Sequence, residues 1–413
     1  MFVKGLKCIN CGKEFVLKNN IYTCPNCNSN LEVIYDYSAL KKIFTKNTLK
    51  KREEFTVFRY KELYPVEIKS TERYSKLKIG GTPLYKSEEL GEYIGYKKFF
   101  IKDDSLNPSG SFKDRASIII LINALKNNIK TITGASTGNA ASSLACLSAS
   151  LNMNNIIFIP KTAPIAKVAQ LLIFGANIIM VDGNYDAAFE LSVKATEKLG
   201  LYNRNTGYNP LTREGKKSAS FEIIEQMDFK VPDYVFVPMG DGNIISGVWK
   251  GFKDFYNLKL INKLPKLIGV QSQKSSAIAN AFINKSRIKK VKATTIADSI
   301  SVDLPRDGEF ALQALKESGG LAVKVSDKDI LNAQKLLASK RGIFAEPAGA
   351  TAFAGLLNTL ENKLINKNKT SVILITGNGL KDINTVVKNT KMPKIFSPDK
   401  SNLWLKEVKK YAV

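Results

Sequence analysis

Short apolar runs alternate with stretches of helical spacing from residue 98 onward, and this alternation constrains the fold more than any other feature. The apolar runs predict strands at 98–102, 130–132, 156–160, 177–181, 234–238, 267–271 and 371–376. Helical spacing predicts helices at 112–127, 138–149, 165–174 and 186–199. Strands and helices that alternate in this way are typical of open, mostly parallel sheets with helices on both faces. The sequence therefore predicts an α/β fold.

Glycine-rich loops follow three of these strands, where open α/β folds bind their ligands. The loop at 134–140, GASTGNA, opens a helix with two hydroxyls and indicates an anion pocket. The loop at 238–247, PMGDGNIISG, indicates a phosphate cradle, although it lacks the spacing of a P-loop or a dinucleotide fingerprint. The loop at 375–382 places Thr376 at a strand end, where its hydroxyl can bond a heteroaromatic ring nitrogen. Each loop alone could be an ordinary turn between a strand and a helix.

Lys113 stands at the predicted start of a helix, within the segment NPSGSFKDR at 107–115. The positive end of a helix disfavours a cation, so we expect the pKa of this lysine to be lowered. A free amine in such a place suits Schiff-base chemistry. The alternative is a surface lysine in the charged trio Lys-Asp-Arg.

Four of the five cysteines form two CxxC pairs near the N-terminus. The pairs are Cys8 with Cys11 and Cys24 with Cys27. Each pair lies in a turn, and strand-like pieces at 14–17 and 21–23 separate the two turns. Two such turns can place four thiolates around one tetrahedral ion, and a site filled by four thiolates favours structural zinc. Disulfides, or a ribbon that has lost its metal, are the alternatives.

The charge and the composition narrow the function classes. The 413 residues include 62 Lys and Arg against 37 Asp and Glu, a net charge of +25, which would suit nucleic acid. The lysines are scattered rather than clustered, so a solvated surface is the favoured interpretation. The chain has no histidine, which excludes Ser-His-Asp and Cys-His catalysis. We find no apolar run of membrane-spanning length and no apolar core of a secretory signal, so we expect a cytoplasmic protein.

In their order along the chain, the motifs resemble those of the fold-type II pyridoxal-phosphate-dependent enzymes, and within them the threonine synthase family. The matching motifs are GGTPL at 80–84, SFKDR, ASTGN, GDGN, EPAG at 346–349 and TGNGLKD. The resemblance covers residues 75–390 and implies two open, twisted, mostly parallel sheets with flanking helices, as in tryptophan synthase β chains. Some family members also carry an N-terminal zinc-ribbon-like segment, and homodimers are usual.

The resemblance implies four parts of the chain. They are a zinc ribbon at 1–34, a large cofactor-binding domain at 35–125 and 205–395, a small α/β domain at 126–204 and a tail at 396–413.

The resemblance also implies how the chain holds pyridoxal 5′-phosphate. Lys113 matches the lysine that forms a Schiff base with the cofactor and then moves protons. Asn139 matches the residue that contacts the 3′ oxygen of the cofactor, and Thr376 matches the hydroxyl that faces its pyridine nitrogen. The residues that match the loop around the cofactor phosphate are Gly240, Asp241, Gly242, Asn243 and Ile244.

For the substrate, the resemblance implies a small phosphorylated amino acid. Ser136 and Thr137 match the place that holds its carboxylate, and Asn205, Thr206 and Arg213 lie where its phosphate is expected. Arg213 stands one residue later than the arginine of the family pattern. Two further departures are Asn378, where the family usually has His, and Ala140, where many members have Thr.

The implied reaction converts O-phosphohomoserine and water into threonine and phosphate. The alternatives within the fold are a cysteate synthase acting on phosphoserine and sulfite, and a threonine or serine dehydratase. A rival of another class is a zinc-ribbon nucleic-acid-binding protein with a degenerate enzyme domain. The resemblance places Glu346 near the site without assigning its role.

Overall fold

The computed structural model describes residues 2–390, 393, 395 and 403–410. Residues 1–381 form one compact unit, and residues 382–413 form a second unit. Among the described residues, no helix combines the length and the apolar character that crossing a membrane requires.

The first unit contains thirteen strands and fourteen α-helices among the described residues. The strands are β1 (Val3–Cys8), β2 (Glu14–Phe15), β3 (Leu31–Tyr35), β4 (Leu84–Lys86), β5 (Phe99–Asp103), β6 (Thr131–Ala135), β7 (Asn154–Pro160), β8 (Asn177–Val181), β9 (Tyr202–Asn203), β10 (Tyr234–Pro238), β11 (Lys266–Ser272), β12 (Leu321–Val325) and β13 (Ser371–Ile375). The helices are α1 (Tyr37–Ile43), α2 (Lys46–Lys50), α3 (Glu88–Ile94), α4 (Asp114–Lys126), α5 (Asn139–Ser150), α6 (Ile165–Ile173), α7 (Tyr185–Leu199), α8 (Leu211–Lys216), α9 (Ser218–Gln226), α10 (Asn243–Asn257), α11 (Ala277–Ile283), α12 (Gly308–Glu317), α13 (Asp327–Arg341) and α14 (Pro347–Glu361). The second unit contains α15 (Ile383–Asn389) and α16 (Leu403–Lys409).

Two sheets carry the α/β part of the first unit. The larger has six strands in the order β12-β11-β10-β13-β5-β4, all parallel except the edge pair β5 and β4. The smaller has four parallel strands in the order β8-β7-β6-β9. The predicted α/β architecture with mostly parallel sheets is confirmed. The domain boundaries drawn from the resemblance stay a prediction.

Burial explains why the central strands of the larger sheet are continuous apolar runs. In β10, Val235 and Val237 pack with α10, whereas Phe236 packs on the opposite face with α14. All five residues of β13 are buried. A parallel strand covered on both faces needs apolar side chains at every position, so the pattern of such strands does not alternate. This core fixes the ends of β10 and β13, from which two of the predicted loops emerge.

The cysteine segment forms a third, antiparallel sheet in the order β2-β1-β3. The predicted strand at 21–23 is wrong, because only an isolated bridge joins Thr23 to Asn30. Residues 21–23 are held in place by side-chain contacts rather than by the backbone hydrogen bonds of a sheet. The hydroxyl of Tyr22 accepts from the Asn203 amide at 2.9 Å, and its ring stacks on Tyr208.

The sequence analysis missed strands β1, β3, β4, β9 and β12, most of which lie at the edge of a sheet. Of these, β4 is the antiparallel edge of the larger sheet. Of the predicted tail at 396–413, residues 396–402 and 411–413 lie outside the described residues, and α16 occupies most of the remainder.

Candidate active site

A cavity of about 370 Å³ opens where the loops after β6 and β10 come together. Ten of the thirteen cofactor- and substrate-binding residues predicted from the sequence line it. They are Lys113, Ser136, Thr137, Asn139, Thr206, Gly240, Asp241, Gly242, Asn243 and Ile244. The cavity therefore gathers residues from widely separated parts of the chain.

Lys113 enters this cavity from the residue just before α4. The Phe112 amide donates to the Thr376 carbonyl at 3.0 Å, so the lysine segment is tied to the loop after β13. Burial lowers the pKa of Lys113 to about 8; the nearby charge of Arg204 lowers it as well, and the carboxylates of Glu346 and Asp241 oppose the shift. The predicted depression of the pKa is thus present, with desolvation as its main cause. A substantial fraction of this amine is neutral near pH 8.

The glycine loop before α10 forms a cradle that only glycine can complete. Gly242 has a φ of 92°, and a Cβ there would lie 2.7 Å from the Asp307 carbonyl oxygen. A Cβ on Gly240 would lie 2.8 Å from the Cα of Ile300. Among the described residues, no side chain caps the N-terminus of α10, so its first amides remain available to a ligand at the positive end of the helix. This arrangement fits the phosphate of pyridoxal phosphate.

Behind the cradle, the Asp307 carboxylate holds the start of α10 in place. It accepts from the Asn243 side-chain amide at 2.8 Å and from the Ser246 hydroxyl at 2.7 Å. Arg213 forms an ion pair with the same carboxylate, and its guanidinium lies 3.6 Å from the centre of the Phe310 ring. Arg213 is therefore buried in this network and does not line the cavity. These contacts do not favour the predicted role of Arg213 in holding the substrate phosphate.

Asn139 and Glu346 form a second polar contact beside the cavity. The Asn139 side-chain amide donates to the Glu346 carboxylate at 2.7 Å and to the Ser299 hydroxyl at 3.2 Å. Burial raises the pKa of Glu346, and the positive charges of Lys381 and Lys113 oppose that shift. Glu346 thus orients Asn139 and raises the pKa of Lys113.

Two other predicted residues lie close to the cavity without lining it. Both ends of the Asn205 side chain are occupied, since its oxygen accepts from the Ala135 amide at 2.6 Å and its nitrogen donates to Ser192 at 2.8 Å. Asn205 therefore shapes the start of the loop after β6. Thr376 is buried at the end of β13, beside the Lys113 segment. Its predicted contact with the cofactor ring stays a prediction.

The sequence analysis missed several polar residues that line the cavity. They are Tyr185, Asp186, Lys216, Asp298, Ser299, Ser301, Asp303 and Arg306. Lys216 belongs to the run REGKK, which has the composition of a solvated surface, and only the packing of α8 turns it inward. No residue pattern in the chain could have distinguished it from an exposed lysine.

The four predicted cysteine ligands converge near the N-terminus. Their sulfur atoms all lie within 4.8 Å of one another, with Cys8 3.4 Å from Cys27 and Cys11 3.7 Å from Cys24. These separations are far longer than the S–S bond of a disulfide, which is about 2.05 Å. They fit a tetrahedron with Zn–S bonds of about 2.3 Å. The donor set and its geometry therefore suit zinc.

The cysteine segment also reaches the network behind the phosphate cradle. The Asn30 side-chain amide donates to the carbonyls of Gly207 at 2.8 Å and Arg306 at 3.1 Å, and to the Asp307 carboxylate at 3.2 Å. The carbonyl of Leu31 accepts from Arg213 at 3.1 Å. A physical connection therefore runs from the cysteine turns to the residue that fixes the start of α10.

Comparisons with known proteins identify the family. The family model "Pyridoxal-phosphate dependent enzyme" matches residues 76–377. A threonine synthase of Methanocaldococcus jannaschii is 38% identical over 390 residues, covering 94% of this chain and 95% of that protein. Threonine synthases of Methanosarcina acetivorans and Halalkalibacterium halodurans are 38% and 34% identical, over 94% and 85% of this chain and 95% and 96% of their own lengths.

Solved structures agree on the fold. A threonine deaminase from Solanum lycopersicum superposes with a TM-score of 0.63 at 26% identity, covering 75% of this chain and 87% of that one. Maize serine racemase superposes with a TM-score of 0.66 at 22% identity, covering 80% and 93%. The architecture is thus that of the fold-type II enzymes. With the sequence relatives, it establishes that the chain belongs to the threonine synthase family of pyridoxal-phosphate-dependent enzymes.

Proposed function

We propose that this enzyme converts O-phosphohomoserine and water into threonine and inorganic phosphate, with pyridoxal phosphate attached at Lys113. One observation supports this most directly: a lysine with a lowered pKa shares a single cavity with two loops suited to anions. The relatives named threonine synthase match along almost the whole chain, which favours the same reaction over the dehydratase alternative.

Different residues of the cavity bind the substrate and the cofactor. Ser136 and Thr137, with the start of α5, bind the substrate carboxylate. The uncapped start of α10 binds the cofactor phosphate, and Asn139 is held in position to contact the cofactor by its hydrogen bond to Glu346. Pyridoxal phosphate, when bound, supplies an electron sink that makes the C–H protons of the substrate acidic enough to be removed.

Proton transfer falls to Lys113. The chain contains no histidine, and two lysines, Lys113 and Lys216, line the described cavity. With a pKa of about 8, its amine can both accept and donate a proton near neutral pH, as a general acid–base group must. Inorganic phosphate, the released product, is a second base of suitable strength.

We also infer that the four cysteines hold a structural Zn²⁺. Four thiolates fill a tetrahedral site and leave no open position for a substrate, so this metal would stabilise the N-terminal segment without entering the reaction. Assembly as a homodimer and a cytoplasmic location stay predictions, and the first can be checked by the mass of the protein in solution.

The test measures both products of the reaction together. The purified protein is incubated with pyridoxal phosphate and O-phosphohomoserine, and threonine and free phosphate are quantified. We expect equal amounts of both, their loss in Lys113→Ala, and no change in Lys335→Gln, an exposed lysine on α13.

The other outcomes would contradict the proposal in different ways. Phosphate without threonine would show an elimination that ends in a keto acid. Neither product, from protein that has bound the cofactor, would direct the search to phosphoserine with sulfite, and then to serine and threonine.

A further inference from the structure

Four cationic side chains besides Lys113 lie at or close behind the cavity, and they differ in how their charge is compensated. Arg213 forms an ion pair with Asp307, and Arg306 forms one with Asp186 at 3.2 Å. Within the part of the chain that the structure describes, Lys216 and Arg204 have no carboxylate at ion-pair distance.

Lys216 is the last residue of α8, and its side chain lines the cavity. It is inaccessible to bulk solvent, and its ammonium group donates to the side-chain oxygen of Asn243. Burial lowers the pKa of Lys216 well below its usual range, the charges of Lys113 and Arg204 lower it further, and the carboxylates of Asp307 and Asp241 oppose the shift. A protonated amine in such a buried place is costly unless an anion lies beside it, and Lys216 has no carboxylate at ion-pair distance among the described residues, so this position suits an anionic ligand.

Arg204 lies directly behind Thr206, which lines the cavity. Its Nη1 donates to the Thr206 hydroxyl at 2.7 Å and its Nε to Ser117 at 3.3 Å. Its Nη2 is buried and, among the described residues, has no hydrogen-bond partner. An unsatisfied guanidinium nitrogen of this kind is rare in a folded protein, because it loses its hydration without compensation.

With cofactor and substrate bound, the cavity would hold three anionic groups, and two of them already have suitable binding sites. The start of α10 suits the cofactor phosphate, and the loop at 136–139 suits the substrate carboxylate. The anion without a place is the phosphate of the substrate. We propose that Lys216 and the Thr206 hydroxyl bind the phosphomonoester of the substrate, and that Arg204, which donates to Thr206 from behind the cavity, adds a second positive charge. This inference rests on the proposed function and gives these residues the task that the sequence assigned to Arg213.

The two cations suit a departing phosphate as well as a bound one. When the bond between the substrate γ-carbon and its ester oxygen breaks, the electron pair leaves with the phosphate. The growing negative charge is stabilised by cations already in place, in a site with little water. A guanidinium and an ammonium group together supply directed hydrogen bonds and a compact charge.

The test compares Lys216→Gln and Arg204→Gln with wild type in the holoenzyme. Three constants are measured: the Kd of pyridoxal phosphate, the KM of O-phosphohomoserine and the inhibition constant of inorganic phosphate. We expect the KM of O-phosphohomoserine and the inhibition constant of inorganic phosphate to rise roughly 30- to 100-fold, as for the loss of a charge-assisted hydrogen bond. The Kd of the cofactor should change by less than about threefold. Lys335→Gln is the matched control on the surface and should change none of them.

Stability separates binding from a structural role. Because the buried Lys216 amine has no carboxylate at ion-pair distance among the described residues, its neutral replacement should leave the melting temperature of the apo protein unchanged or raise it. Lys216→Arg keeps the charge and should recover part of the lost affinity for phosphate. A lower melting temperature with unchanged constants would show a structural residue and overturn the proposal.

Two further outcomes separate this inference from the proposed function. If wild type forms threonine and both variants keep their KM and phosphate inhibition, the inference is wrong and the function stands. A rise in the cofactor Kd alone would assign the cations to the cofactor phosphate and also overturn the inference. If the wild-type enzyme does not turn over, the subsite is tested by the binding of inorganic phosphate to the holoenzyme, which is measured through the absorbance of the cofactor. Weaker phosphate binding in the variants supports the subsite, and equal binding refutes it.

Discussion

The cysteine site and the cofactor cavity are built in opposite ways. All four cysteine ligands lie between residues 8 and 27, and two turns bring them together. The cavity collects Lys113, Thr206 and Arg306 from separate loops that only the complete fold brings together. A local site is specified by spacing, so its ligands can be read from the sequence. A site assembled over long distances is specified by packing, and its motifs identify only the residues that a family pattern already marks.

The two regions are nevertheless connected through Asn30. This side chain bonds three acceptors around the phosphate cradle, including the Asp307 carboxylate. We therefore expect loss of the predicted metal site to weaken the cofactor cradle through Asn30, and changes in the cradle to leave the cysteine cluster intact.

The pH dependence of cofactor attachment tests whether the assembled cavity sets the chemistry of Lys113. Only the neutral amine attacks the cofactor, and raising the pH removes the proton from the ammonium form. With a pKa of about 8, the attachment rate in the apo protein should rise about tenfold per pH unit below pH 8 and level off above it. Stopped-flow absorbance measures this rate. Glu346→Gln removes a charge that raises this pKa and should move the profile to lower pH, whereas a rise that continues beyond pH 10 would contradict the account.

Two glycines with positive φ, one in the cysteine segment and one in the phosphate cradle, allow the two regions to be compared by the same substitution. Gly242→Ala places a methyl group 2.7 Å from the Asp307 carbonyl, whereas Gly12→Ala meets nothing within 4 Å, and both residues have positive φ. We expect Gly242→Ala to raise the Kd of pyridoxal phosphate at least about 30-fold, or ~2 kcal/mol. Gly12→Ala should lower stability by only about 1 kcal/mol and leave cofactor binding unchanged. Fluorescence titration and thermal unfolding measure these effects; equal effects of the two variants would remove the distinction between the regions.

Removal of the metal tests the direction of the coupling. We expect Cys8→Ser combined with Cys24→Ser to abolish zinc binding and to lower the melting temperature by about 5 °C or more. The cofactor Kd should also rise, because the turn that carries Asn30 is no longer held. Metal analysis, thermal unfolding and cofactor titration are carried out on the same preparation. Cys146→Ser is the control outside the cluster, and unchanged stability and cofactor affinity in the double variant would end the structural interpretation of the cysteines.

Asn30→Ala gives the smallest effect and the sharpest test of the connection. The variant keeps all four cysteines but loses the amide group that donates to the three acceptors around the cradle, so zinc content should not change. We expect the cofactor Kd to rise about 3- to 10-fold, as for the loss of one or two buried hydrogen bonds. Asn26→Ala, an exposed residue in the turn between Cys24 and Cys27, is the control. If Asn30→Ala reduces zinc content but not cofactor affinity, the coupling does not exist.

The sequence predicted the parts of the fold that are marked by long apolar runs. Strands β10 and β13 were predicted because burial on both faces requires apolar residues throughout. The edge strands β4 and β9 were missed because they are short and less constrained in composition. The strand predicted at 21–23 was wrong because Tyr22 is held by side-chain contacts that leave no trace in the local pattern.

The same limit applies to the site. Lys113 and the loop at 240–244 were predicted because their motifs, taken together and in their order along the chain, resemble those of a known family. Lys216 was missed because a buried lysine and a solvated lysine look alike in a charged run. Arg213 was assigned to the substrate because its charge suits a phosphate, yet the fold pairs it with Asp307. Partners of buried charges depend on packing between distant segments, which a single sequence does not reveal.

Lys113 and Lys216 are the two lysines that line the described cavity, and we expect pyridoxal phosphate to attach to Lys113. The protein is loaded with pyridoxal phosphate, the complex is reduced with borohydride and the modified peptide is identified by mass spectrometry. We expect modification at Lys113 alone, and none in Lys113→Ala. Modification at Lys216, or at several lysines in comparable amounts, would contradict it.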